Sequence, residues 1–250
     1  QRQMCIRDRV ENEVKLAEAT VVVNSAFASS NQIFDAAATS AEAAGESIGG
    51  VIDAFTMAYR ATGGGSNEID RFTTANKLMN DALVLSKLST LDQATAIDTL
   101  SAALKQSAGS FKEGVNPLEQ GATLLDKWVR TTQVANVDLG TLATGFAVLG
   151  DSADAAGINM DELNGIIGAV AETGIASGRE AANTARAIVS GFQSDKAREE
   201  LQRLGISVTD AEGNLRSFMD IMKQLSSLRQ TGILSDTDFS RLTLALGGGT

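Results

Sequence analysis

The segment from residue 210 to residue 214 comes nearest to a metal-binding motif in this chain. It reads Asp210-Ala211-Glu212-Gly213-Asn214 and places two carboxylates and an amide close together. A calcium loop needs regularly spaced oxygen ligands, a glycine at a fixed position and a closing glutamate, and this segment meets none of those three needs in full. Asp210 and Gly213 instead suit the first and last positions of a type I turn. The segment therefore predicts a turn rather than a metal site.

A second stretch has the look of a phosphate-binding loop. Gly63-Gly64-Gly65-Ser66 is rich in glycine, as phosphate cradles are. It lacks the lysine of such loops and follows a helical pattern rather than a strand. We therefore interpret it as a linker or sharp turn.

No other residues point to catalysis or to a cofactor. The chain contains no histidine, which removes the Ser-His-Asp triad and the usual zinc sites. The remaining carboxylates and charged pairs fit predicted helix starts or a solvated helix face, namely Asp151, Asp154, Asp236, Asp238, Lys196, Arg198, Glu199 and Glu200. Trp128 and Phe192 lie on helical stripes and are interpreted as core anchors. We predict no catalytic, cofactor-binding or metal-binding residue, and no enzymatic activity.

Composition favours helices packed through small side chains. Of the 250 residues 43% are hydrophobic but only 4% aromatic, and proline occurs once, which suits long helices. The net charge of −10 disfavours direct nucleic-acid binding. The least polar stretches, 139–150 and 165–171, are shorter than the ~20 apolar residues of a membrane span. The single cysteine, Cys5, excludes an intrachain disulfide framework.

The first 60 residues carry a sustained helical period. Apolar or small residues recur in three- and four-residue steps, at Phe27, Asn31, Phe34, Ala38, Ala41, Gly45, Ile48, Ile52, Phe55 and Tyr59. The pattern predicts a long helix or a helical hairpin with a coiled-coil-like seam. The alternative is an ordinary amphipathic helix packed on its own domain, which a break near Gly45 would favour.

Helix start and stop signals follow at short intervals. Possible N-terminal caps pair with a partner three residues on, as Thr90–Gln93 (for a helix over 91–107), Asn116–Glu119, Asn159–Glu162, Ser177–Glu180, Ser217–Asp220 and Ser235–Asp238. Gly205 suits the left-handed position after a helix end, and Ile206 and Val208 alternate as a half-buried extended segment does.

Two consecutive segments share one apolar pattern. Val137, Leu139, Leu142, Phe146 and Leu149 match Ile158, Met160, Leu163, Ile167 and Val170 at a constant offset. This predicts two successive helices that bury the same stripe, as in a hairpin or the start of a solenoid.

We therefore predict an all-α protein with four parts. Residues 1–9, which include Gln3-Met4-Cys5-Ile6-Arg7-Asp8-Arg9, resemble a translated sequencing adapter and are left out of the fold prediction. Residues 10–62 form the long helical segment and residues 63–66 the linker. Residues 67–250 form a compact multi-helix core with one short extended turn at 205–216, and the chain is expected to be an internal piece of a longer protein.

Several blocks in a fixed order resemble the core of phage tail tape measure proteins. They are Thr131–Ala135, Val137–Leu149, Ala156–Leu163, Gly174-Ile175 with Gly178, Ala185–Phe192, Leu204–Leu215 with Phe218, Asp220 and Ile221, and Leu242–Gly248. The resemblance as a whole extends over roughly residues 70–250, and the order and spacing of the blocks carry it.

The resemblance implies a structural role in a phage or prophage tail. A tape measure protein occupies the tail lumen during assembly, sets tail length by its own extended length, and leaves before DNA passes. It implies, as partners, copies of the same chain, the tail tube protein, assembly chaperones and tip or baseplate proteins, with assembly in the host cytoplasm. Two alternatives remain open: a cellular helical adaptor or solenoid module that binds through the 137–170 stripe, and a tail-associated hydrolase with its catalytic residues elsewhere.

Overall fold

Helices make up the regular structure of the described part of the chain. The computed structural model describes residues 2–23, 29–62, 68–106, 119–155, 158–173, 177–192, 194–209, 216 and 218–246. The helices in these ranges are α1 (Arg2–Val23), α2 (Ser30–Ala44), α3 (Ile48–Ala61), α4 (Glu68–Leu88), α5 (Gln93–Gln106), α6 (Gln120–Val134), α7 (Leu139–Ala155), α8 (Met160–Glu172), α9 (Gly178–Phe192), α10 (Asp195–Arg203), α11 (Phe218–Gln230) and α12 (Asp236–Leu246). The predicted all-α class is confirmed.

The helices fall into two compact units. The first contains α1 to α4, α5 as far as Lys105, and α6 as far as Val129. The second contains the chain from Arg130 onward, with α7 to α12. The four-part division made from the sequence stays a prediction, and its linker at 63–66 lies outside the described residues.

The N-terminal segment forms three helices rather than one long one. Gly45 ends α2 in the left-handed conformation, with φ of 65°, and Ser47 caps α3. This break favours ordinary helices packed on their own domain over a continuous seam. It also shifts the register, because α2 buries Ile33 and Ala37 while Phe34 is 38% exposed. The predicted placement of Phe34 on the buried seam is wrong.

Helix α3 is the centre of the first unit and packs against α1, α2 and α4. The rings of Phe55 and Phe72 lie 5.1 Å apart, which joins α3 to α4. The hydroxyl of Tyr59 donates a hydrogen bond to the carbonyl oxygen of Val23 at 3.3 Å, which joins α3 to the end of α1. Aromatic side chains of α3 therefore take part in its contacts with both α4 and α1.

The second unit is built around α7, α8 and α9, each of which packs against the other two. The predicted shared stripe is confirmed for these helices, because Leu142, Phe146 and Leu149 on α7 and Leu163 and Ile167 on α8 are all almost completely buried. Helix α10 packs against α9 and α12.

The local start and stop signals have mixed outcomes. The Asn159–Glu162 capping box is formed, and the Ser235 hydroxyl accepts a hydrogen bond from the Asp238 amide at 3.1 Å. Thr90 is not the cap of α5, because the Asp92 carboxylate accepts the Thr95 amide hydrogen bond at 2.8 Å and the helix begins two residues later than predicted. The caps predicted at Asn116 and Ser217 lie outside the described residues.

The predicted helix end at Gly205 is confirmed. Its φ is 77°, and the amide of Ile206 donates to the carbonyl of Leu201 at 2.8 Å, as in a Schellman motif. Ile206 and Val208 are both buried, as their alternation predicts. The turn at 210–215 lies outside the described residues. Within those residues, we find no helix long and apolar enough to cross a membrane.

Candidate functional site

The candidate residues of the sequence analysis lie partly inside and partly outside the described ranges. Within the described ranges, no group of three His, Cys, Asp or Glu side chains could hold a metal ion. The loop at 210–214 and the glycine run at 63–66 lie outside those ranges, as do the side chains of Asp151, Asp154 and Phe192. Trp128 is completely buried, which agrees with its predicted place in the core.

The charged residues near the start of α12 form a small surface network. Arg203 donates hydrogen bonds to Glu200 at 2.9 Å and to Asp238 at 2.6 Å. Hydrogen bonds from Ser235 and Arg203 lower the pKa of Asp238. Hydrogen bonds to the carboxylates of Asp238 and Glu200 raise the pKa of Arg203. Asp236 is nearly fully exposed and lies 3.6 Å from Arg229. The Arg203–Asp238 contact joins α10 to α12, and the Arg229–Asp236 contact joins α11 to α12.

One buried carboxylate escaped the sequence analysis. Asp81 on α4 is 6% exposed and accepts a hydrogen bond from Lys77 at 2.5 Å. Burial raises the pKa of Asp81, and Lys77 partly offsets this effect. Gly121 on α6 leaves room for the carboxylate, since an added Cβ there would collide with an Asp81 oxygen. In the sequence, Lys77 and Asp81 are one helical turn apart and predict an exposed ion pair. The position of Gly121 beside the carboxylate is a contact between distant segments that this spacing does not indicate.

The most specific geometry lies where α7, α8 and α9 meet, here called the three-helix junction. A Cβ on Gly178 of α9 would lie 2.9 Å from the Cβ of Thr144 on α7 and still nearer to the Thr141 carbonyl oxygen. A Cβ on Gly145 of α7 would lie 2.8 Å from a methyl carbon of Ile167 on α8. The backbones of α7 and α9 therefore cross at a distance that only glycine permits.

The junction has a polar contact as well as close packing. Nη2 of Arg186 on α9 donates to the carbonyl oxygen of Val148 on α7 at 2.6 Å. The buried face of α9 consists of small side chains, since Ala181, Ala182 and Ala185 are completely buried. Small residues let two helices approach closely, and the arginine fixes their relative position along the axis.

The junction is defined by close backbone packing between α7 and α9 and by the Arg186 hydrogen bond. Gly178 and the ranges that contain Gly145 and Arg186 are among the blocks that carry the sequence resemblance. The sequence thus pointed to the right segments without giving the reason. In the structure, Gly178, Gly145 and Arg186 all take part in the contacts of the three-helix junction.

Comparison with known proteins gives one family match. The model of a family described as "Phage-related minor tail protein" matches residues 71–247. The match covers most of α4 and all of α5 to α12, including the three-helix junction. No match to a curated protein or to a solved structure was found.

Proposed function

The chain belongs to the phage-related minor tail protein family, and from this premise we propose that it is part of a tail tape measure protein. Family membership makes it a structural component of the phage tail that interacts with other tail proteins. The tape measure role is the finer claim. The match over residues 71–247 is the observation that carries the proposal, since it spans the same blocks that resemble tape measure cores.

Helical structure suits a protein that converts sequence length into distance. An α-helix rises about 1.5 Å per residue, so a continuous helical segment has a length fixed by its residue count. The described part of this chain is built from helices, and its low aromatic content of 4% is typical of slender, closely packed helices.

The described residues suit a folded domain of such a protein better than its ruler shaft. The longest described helix, α1, has 22 residues, which corresponds to about 33 Å. Left-handed glycines end or separate helices at Gly45, Gly205 and Gly232. A shaft needs helices that continue, whereas these stop and pack on one another. We therefore assign the three-helix junction to a compact domain that anchors or orients the protein.

The proposed partners are other components of the tail and copies of the same chain. They are the tail tube protein, the assembly chaperones and the tip or baseplate proteins, met during assembly in the host cytoplasm. The net charge of −10 supports a protein that does not hold DNA, because an acidic surface repels phosphates. We also propose that this part of the protein has no enzymatic activity. A cellular adaptor is the less favoured alternative, because the family match indicates a tail component.

Protease protection in purified virions tests whether the protein occupies the tail lumen. We expect its peptides to resist added protease in intact virions and to be lost from tails after DNA ejection, as measured by quantitative mass spectrometry. The tail tube protein is the control, because it stays with the tail in both states. Digestion in intact virions, or retention after ejection, would contradict the proposal.

A further inference from the structure

Helix α1 has apolar side chains on two opposite faces. Helix α1 packs against α3 and also contacts α2, and Ala19 and Val23 on its inner face are buried. The inner face also holds Lys15, whose ammonium group is 2.7 Å from Asp53 of α3. Packing within the first unit therefore accounts for one apolar face only.

The opposite face carries what we call the outer stripe, formed by Val10, Val14, Ala17 and Val21. The three valines are 54%, 54% and 82% exposed, and Ala17 is exposed as well. Their spacing of four, three and four residues places all four within about 60° of one another around the helix. This is the a/d spacing of a coiled-coil seam. A seam on the solvent side of a packed helix is a surface for another helix.

Acidic side chains flank the outer stripe on both sides. Glu11 and Glu18 lie on one side and Glu13 on the other, and all three are exposed. Arg9 is 3.5 Å from Glu13, but both side chains are well exposed, at 83% and 67%, so this pair is weak. Lys15 is 3.3 Å from Glu11 but points towards Asp53. The flanks of the stripe therefore keep a net negative charge.

These charges decide which helix can cover the stripe. In a parallel pair of two α1 helices, Glu13 of one copy would face Glu18 of the other, and in an antiparallel pair glutamates would again face glutamates. Like charges at these positions disfavour self-pairing. A helix with lysine or arginine beside its own apolar seam would instead form opposite-charge pairs.

We propose that the outer stripe docks an amphipathic helix of a partner protein whose apolar seam is flanked by basic residues. Valines at the seam supply the contact area, and Glu11, Glu13 and Glu18 select the partner by charge. Helix α1 precedes the family match at 71–247. The docking surface is therefore a property of this chain beyond the tail role and does not depend on the tape measure proposal.

The test uses the whole chain and two designed helical peptides with leucine at the seam positions. One peptide has lysine at the flanking positions and the other has glutamate. Fluorescence anisotropy at physiological salt should show that the basic peptide binds at least tenfold more tightly than the acidic one. The double variant Val14→Asn, Val21→Asn keeps every charge and should lose at least tenfold in affinity for the basic peptide. Val134→Asn, at an 89% exposed valine on α6, is the matched control and should bind as the wild type does.

A second variant keeps the test independent of folding. Glu11→Lys, Glu13→Lys, Glu18→Lys retains the valines and should reverse the preference, so that the acidic peptide binds more tightly. Equal binding of both peptides, or unchanged binding by the valine variant, would overturn the proposal. The proposal would also be overturned if the wild type formed a dimer in analytical ultracentrifugation and the valine variant did not. The occupant of the outer stripe would then be a second copy of the chain.

Discussion

Replacing Gly178 by alanine tests the close crossing of α7 and α9. The new Cβ would lie 2.9 Å from the Thr144 Cβ and closer still to the Thr141 carbonyl oxygen. The second contact is with backbone, so it cannot be relieved by rotating a side chain. The start of α9 must instead move away from α7, and overpacking of this kind costs about 1–3 kcal/mol.

Gly165→Ala is the matched control for that prediction. Gly165 lies on the exposed side of α8, and an added Cβ there meets nothing within 4 Å. Alanine is the better helix former, so this variant should gain about 0.5–1 kcal/mol. The same substitution is thus expected to lower the free energy of unfolding at Gly178 and to raise it at Gly165, although both glycines lie in one unit.

Urea denaturation followed by far-ultraviolet circular dichroism measures both changes. We expect a lower midpoint for Gly178→Ala and a higher one for Gly165→Ala. Hydrogen–deuterium exchange should show faster exchange in α7 and α9 for the first variant only. A Gly178→Ala protein as stable as the Gly165→Ala protein would refute the close crossing.

Three further predictions concern single interactions. Burial raises the pKa of Asp81 above 3.8 against the opposing effect of Lys77. The folded state therefore binds the proton more tightly than the unfolded chain, and stability falls as the pH rises above 3.8 through the folded pKa. Asp81→Asn should remove this fall and be at least as stable as the wild type near pH 7, as urea titrations across this range would show; a steeper fall in the variant would contradict it. Gly45→Ala should cost about 1 kcal/mol, because φ is 65° there, and an unchanged melting temperature would argue against the break. Asn159→Ala removes the cap of α8 and should cost about 1 kcal/mol, with faster amide exchange confined at first to the start of α8.

The fold class and several helix limits were predictable because their signals are local. A helical period, an N-terminal cap such as Asn159 and a left-handed glycine such as Gly205 can each be recognised within a few positions of the sequence. The start of α5 was missed because Thr90 and Asp92 are both good caps. In the structure Asp92 is the cap. The first buried residues of α5, Ala96 and Ile97, follow it after four and five residues.

The features that sequence reasoning missed depend on contacts between distant segments. The predicted seam through Phe34 assumed one continuous helix. The break at Gly45 separates α2 from α3, so each helix buries its own set of residues. The sequence presents Asp81 as an exposed partner of Lys77, whereas in the structure it is buried and lies beside Gly121 of α6. The role of Gly178 requires the knowledge that α9 crosses α7 beside Thr141. Each of these is set by tertiary packing, which no local pattern contains.

Tail length is the measurement that tests the tape measure proposal most directly. In the proposed tape measure protein, of which this chain would be a part, in-frame deletions and duplications would be made in helical segments other than the two compact units. Tails would be measured by negative-stain electron microscopy. The proposal predicts that length changes by about 1.5 Å for each residue removed or added, whereas Gly165→Ala leaves it unchanged. Assembled tails of constant length across the whole series would contradict the tape measure role and leave a tail component of another kind.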